Sequence, residues 1–196
     1  MWKIFILTLS VFCLVGYNSC NHKADEYIYQ RLVRWDNMVD SVPQLVVDSL
    51  LQIDTEELDR SGRAYYGLLK VISDDKTFVN FTNDSLINSI TDYYRIHDPK
   101  SNLYIRALAY QGIIRTRIGI KDSTVYEPLR EAGRLLSEMD NPDASLGYLI
   151  NYFLGNIHYN NRSYTSADEY FRRTLDYAHQ EKDSIHLFDT YLALYW

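Results

Sequence analysis

The sequence predicts an all-α protein assembled from stacked helical hairpins, and three observations carry that prediction. Three times a glycine closes a helix-compatible run rich in tyrosine and alanine: Arg63-Ala64-Tyr65-Tyr66-Gly67, Ala107-Leu108-Ala109-Tyr110-Gln111-Gly112 and Asn151-Tyr152-Phe153-Leu154-Gly155. The glycines lie 45 and then 43 residues apart, and each is followed by a polar break, a second amphipathic segment and a charged or proline-containing turn. Self-similarity at this period marks an array whose units bury their apolar faces against one another. Finally, 46% of the residues are hydrophobic, with only 8 Gly and 4 Pro among 196, so the chain can bury a core and is not compositionally disordered.

The net charge of −6 is modest and no Lys/Arg stripe is present, which argues against a nucleic-acid-binding surface. Tyrosine is abundant, at 18 residues. It buries a large ring yet keeps a hydroxyl for a hydrogen bond, so it suits helix seams and wet binding surfaces alike.

The elements follow in order. Residues 1–19 start with the basic Met1-Trp2-Lys3 and continue as an apolar run from Ile4 to Gly16, too short to span a bilayer comfortably and suited to a secretory signal. An uncleaved anchor is the alternative. Cys13 lies inside the run, and Cys20 follows it after the small Ser19. This resembles a bacterial lipoprotein signal, in which that cysteine becomes the lipid-modified N-terminus; Tyr17, where an aliphatic residue is usual, departs from the pattern. A structural disulfide is not expected, because processing leaves Cys20 without a partner.

Ile28, Leu32, Trp35 and Val39 at helical spacing predict a first helix. Pro43 opens a second with Val46, Val47, Leu50, Leu51 and Ile53 buried, and the two form an N-terminal capping hairpin over 25–54. A first full hairpin is expected over 55–100. Its first helix starts between Thr55 and Ser61 and carries Ala64, Tyr65, Leu68, Leu69 and Ile72. A loop follows from Ser73 to Thr82, and the second helix, capped by Asn83 or Asp84, carries Leu86, Ile87, Ile90, Tyr93 and Tyr94.

The next hairpin covers 101–142. Leu108, Ala109, Gly112 and Ile113 form its first face, Gly119–Ser123 its break, and Val125, Leu129, Ala132, Leu136 and Met139 its second face, with a start close to Pro128. The third covers 143–181, with Leu146, Leu149, Ile150, Phe153, Leu154 and Ile157, then Ala167, Tyr170, Phe171, Leu175 and Ala178. Residues 184–196 open a further helix with Leu187, Phe188, Tyr191, Leu192 and Tyr195, read as the first half of a truncated repeat in a longer protein.

Tyr152-Phe153-Leu154-Gly155-Asn156-Ile157-His158-Tyr159, followed by Tyr164, Ala167, Phe171 and Leu175, resembles a tetratricopeptide repeat. The resemblance is strongest over 146–180. It implies a right-handed α-solenoid in which Gly67, Gly112, Ala132, Leu154, Gly155, Ala167 and Phe171 pack the repeats. Small residues let helix backbones approach while aromatics fill the groove beside them. His158 stands where an aromatic is usual, and Thr174 replaces an expected alanine. Behind a lipoprotein-like leader, the layout is similar to that of the envelope tetratricopeptide proteins of Bacteroidetes. That likeness implies a periplasmic or outer-membrane-associated scaffold or sensor, part of a regulatory protein, that binds a protein or peptide.

Catalytic and metal signatures are missing from the sequence. The five histidines, 22, 97, 158, 179 and 186, show no metal-ligand spacing, and Glu181-Lys182-Asp183 should separate His179 from His186. Ser73-Asp74-Asp75-Lys76 is a chance Ser-x-x-Lys, and no glycine loop cradles phosphate. The expectation is therefore a non-enzyme with no cofactor and no metal. Its partners are a protein or peptide ligand and, through Cys20 or an uncleaved anchor, a membrane, with no nucleic acid. Leu149, Tyr152, Asn156 and Tyr159 would line the ligand groove. The competing reading is a glycan-binding outer-membrane lipoprotein of a nutrient-uptake system.

Overall fold

The structure, a computed structural model, describes residues 26–195. Residues 1–19, where a signal is expected, Cys20 and Trp196 lie outside them. Among the described residues every regular element is helical, and none of the helices is long and apolar enough to cross a membrane. The chain divides into two compact units, one ending at Thr77 and the other starting at Phe78.

The N-terminal unit contains α1 (26–36), α2 (Pro43–Leu50) and α3 (Arg60–Lys76). Pro43 opens α2 as expected, where its missing N–H is harmless. The helix is shorter than its apolar pattern implied: Val46 and Leu50 are buried, but Leu51, beyond the last helical residue, is 74% exposed. Asp59 caps α3 by accepting from the Gly62 N–H at 2.6 Å, which places the start at Arg60, towards the Ser61 end of the expected span. Ala64, Tyr65, Leu68, Leu69 and Ile72 are all buried, and Gly67 with them. The helix runs on through Ser73 to Lys76, so the loop expected from Ser73 begins later. The fully buried Ser73 explains the difference: its hydroxyl donates to the Lys70 carbonyl at 3.0 Å and is satisfied inside the helix. α3 packs on α2, and its Tyr65 hydroxyl donates to Asp36 at 2.7 Å.

The C-terminal unit contains α4 (Ser85–His97), α5 (Asn102–Arg117), a 3₁₀ turn (Ser123–Val125), α6 (Glu127–Ser137), α7 (Ala144–Asn160), α8 (Tyr164–Glu181) and α9 (Ser184–Tyr195). Each helix packs on the next, and α5 also touches α7. The hairpin expected over 55–100 is therefore divided: α3 belongs to the first unit and α4, packed on α5, to the second. Within α4, Ile87, Ile90, Thr91 and Tyr94 form the buried stripe, while Leu86 lies off it and is exposed. Asn83, not Asp84, accepts from the first helical N–H, that of Ser85, at 3.0 Å.

α5 is buried nearly all round, from Tyr104 and Ile105 through Tyr110 to Ile114. Neighbours on three sides explain why it lacks an apolar stripe. Arg115 ties its end to surrounding elements, with Nε donating to Asp84 at 2.8 Å, Nη2 to Asn88 at 3.1 Å and Nη1 to the Thr124 carbonyl at 2.8 Å. The hydrogen bond from Arg115 holds the Asp84 carboxyl below its ordinary value of 3.8. A depressed folded-state value means that the unfolded chain binds the proton more readily. The resulting stabilisation is complete above pH 3.8 and is lost as the pH falls through the lower folded value. Asp84→Asn should flatten that part of the acid limb in a pH series of urea melts, whereas an unchanged limb would remove Asp84 from the account.

Candidate functional site

Each of the two central seams closes on a glycine. A Cβ on Gly112 of α5 would lie 2.7 Å from Leu129 Cγ on α6 and 2.7 Å from the Val125 carbonyl oxygen. A Cβ on Gly155 of α7 would lie 2.6 Å from the Phe171 ring on α8. Ala132 on α6 and Ala167 on α8 are buried beside these contacts, as is Leu154. Gly147 adds a third approach that sequence reasoning passed over, directly under the Tyr177 ring. Thr174 occupies its small-residue position fully buried, its hydroxyl donating to the Tyr170 carbonyl at 2.9 Å. His158 supplies a ring where an aromatic was expected, stacking on Tyr170 with centroids 5.2 Å apart and planes at 16°.

Leu149, Tyr152, Asn156 and Tyr159 share one face of α7, since their spacing keeps them within a narrow arc at 100° per residue. Their environments differ. Tyr152 is half-buried, stacked on Tyr148 at 5.6 Å and 11°, with the Phe171 ring 6.1 Å away. Asn156 donates one of its two amide N–H groups to the Tyr152 carbonyl at 3.0 Å. Leu149 is half-buried. Tyr159 is 40% exposed and meets Tyr164 edge-on at 5.7 Å. Tyr159, Tyr164, Phe171, Ala193 and Leu194 border a recess of about 150 Å³. The expected line of four is thus open chiefly at its Tyr159 end, and Tyr152 spends much of its ring on packing.

Two further members of this face were not foreseen. Tyr148 lies between Tyr152 and His186 of α9, whose ring stacks on it at 3.8 Å and 12°. Burial pushes the Tyr148 hydroxyl well above its ordinary value of 10.0, so it remains a neutral donor. His186 Nδ1 lies 2.8 Å from a Glu181 oxygen, clasping α9 to the end of α8 across Lys182, a left-handed residue at φ 57°. Tyr148 and Tyr152 are one helical turn apart, a signal present in the sequence. The pairing with His186 crosses elements and has no local signature. His179 and His186 fall on separate helices, as Glu181-Lys182-Asp183 implied. Among the described residues no three His, Cys, Asp or Glu side chains stand close enough to hold a metal ion.

No protein-family model, no curated protein and no solved structure matches the chain.

Proposed function

We propose that the chain is a tetratricopeptide-like, right-handed α-solenoid segment of a membrane-anchored bacterial envelope protein. In this reading it is a scaffold or sensor that binds a protein or peptide ligand without catalysing a reaction, as part of a regulatory protein. The observation that supports it best is the repeated seam, with Gly112 against Leu129 in one hairpin and Gly155 against Phe171 in the next. A fold that closes two successive helix pairs on glycines 43 residues apart suits a regular row of first helices. The open Tyr159–Tyr164 pair, with the half-buried Tyr152 beside it, gives this face amphipathic rings of the kind that anchor peptide recognition. Anchoring is assigned to a lipid on Cys20.

Photocrosslinking in the intact protein tests the ligand face. Benzoylphenylalanine at Tyr159 should capture a discrete protein adduct, and the same residue at Arg172, exposed on α8, should not. Identical adducts from both positions would refute the assignment of the face. Incorporation of a labelled fatty acid should be lost in Cys20→Ala, and equal labelling would sink the anchor without touching the ligand face.

A further inference from the structure

A row of rings crosses from α6 to α8 on the far side of α7. His158 stacks on Tyr170 and meets Tyr126 edge-on at 5.9 Å. At one end of this row Arg130 lies over Tyr126 at 5.8 Å, and at the other Arg173 lies over Tyr170 at 5.4 Å. Both arginines line an open cleft of about 560 Å³ between α6 and α8. The buried side chains of Leu136, Ile150 and Leu154 form its floor.

Arg134, a third arginine on the rim, is already used: it donates to Glu131 at 2.7 and 2.9 Å and to Glu138. Among the described residues Arg130 and Arg173 have no carboxylate partner, although Asp176 also borders the cleft. A guanidinium placed over an aromatic ring and without a carboxylate partner keeps N–H groups that can match a carboxylate in bidentate fashion. The ring also restrains the side chain, so less freedom is lost when a ligand binds.

We propose that this cleft binds an acidic peptide segment, with carboxylates on Arg130 and Arg173 and an apolar side chain against the Leu136–Ile150–Leu154 floor. Two separated cations on a chain of net charge −6 suit a short segment with a few carboxylates, because a long polyanion would be repelled by the remainder of the surface. The site is independent of the ligand face proposed above. Ile150 and Leu154 lie on the side of α7 opposite Leu149, Tyr152, Asn156 and Tyr159.

Fluorescence anisotropy with a short fluorescein-labelled peptide alternating glutamate and leucine tests the proposal on the whole chain. Saturable binding is expected, about tenfold weaker in Arg130→Gln and in Arg173→Gln, and weakened clearly less in Arg134→Gln, which removes no direct contact. Arg130→Lys, which keeps the charge, should also bind more weakly because the flat bidentate fork is gone. Circular dichroism of each variant checks that the helices persist. The proposal is overturned if the glutamate peptide fails to bind, or if a peptide alternating glutamine and leucine binds equally well. Equal weakening by all three arginine-to-glutamine changes, or tighter binding of labelled single-stranded DNA, would overturn it too.

Discussion

Replacing Gly112 with valine should destabilise the C-terminal unit by about 3 kcal/mol, the upper range for forced overpacking. The new Cβ would meet the Val125 carbonyl oxygen and Leu129 Cγ, each at 2.7 Å. Neither neighbour can yield cheaply. The carbonyl belongs to the backbone of the 3₁₀ turn, and Leu129 is fully buried at the α5–α6 seam. Removing a glycine from a helix interior by itself favours folding, so any destabilisation must come from the close approach. Gly133 supplies the control, because a Cβ there meets only Ile150 Cγ2, at an ordinary 3.5 Å. Gly133→Ala should therefore stabilise by about 0.5–1 kcal/mol. Urea unfolding monitored by circular dichroism separates the two. If Gly112→Val melts at the wild-type midpoint, the seam is not as tight as described.

Phe171→Ala should be comparably damaging, at about 3–4 kcal/mol, through the cavity left by a buried ring. Its coupling to Gly155 is the sharper test. Gly155→Ala alone should cost about 1–2 kcal/mol, because the added methyl runs into the Phe171 ring, for which the distance is now 2.6 Å. In a Phe171→Leu background the same change should be nearly neutral, since the obstructing ring is gone. A double-mutant cycle would then show a coupling of about 1–2 kcal/mol. Additive effects would mean that the two residues do not share the seam.

The glycine approaches were the part of the packing with a local mark in the sequence. A glycine, an aromatic and a small residue at fixed offsets are written into Leu154-Gly155, Ala167 and Phe171. The grouping of α4 with α5 was harder to read. The 77–84 connection has no marker that distinguishes a hairpin loop from a boundary between units, and helix α4 is amphipathic whichever neighbour covers it. Apolar runs also overstated burial at their margins. Leu51 has the character of a core residue but follows the last turn of α2, and Leu86 misses the stripe of α4 by one position. On the face proposed for a ligand, Tyr152 and Tyr159 follow from helical spacing, whereas His186 joins through a contact between helices that no spacing encodes. The Arg130–Tyr126 and Arg173–Tyr170 pairs, four and three residues apart, were within reach of helical spacing and were passed over. That both arginines border a common cleft is a property of the assembled helices and has no local signature.

The enclosure of α5 on several sides has a consequence for how such a chain can diversify. A substitution at almost any of its positions from Tyr104 to Ile114 is felt by more than one neighbour, so little drift is tolerated there. α8 is different, with Ala167, Phe171, Thr174 and Ala178 committed inward and most of its other side chains facing water. New recognition chemistry can accumulate on α8 while α5 keeps the architecture fixed, which separates the part of the molecule that can be retuned from the part that must be inherited intact.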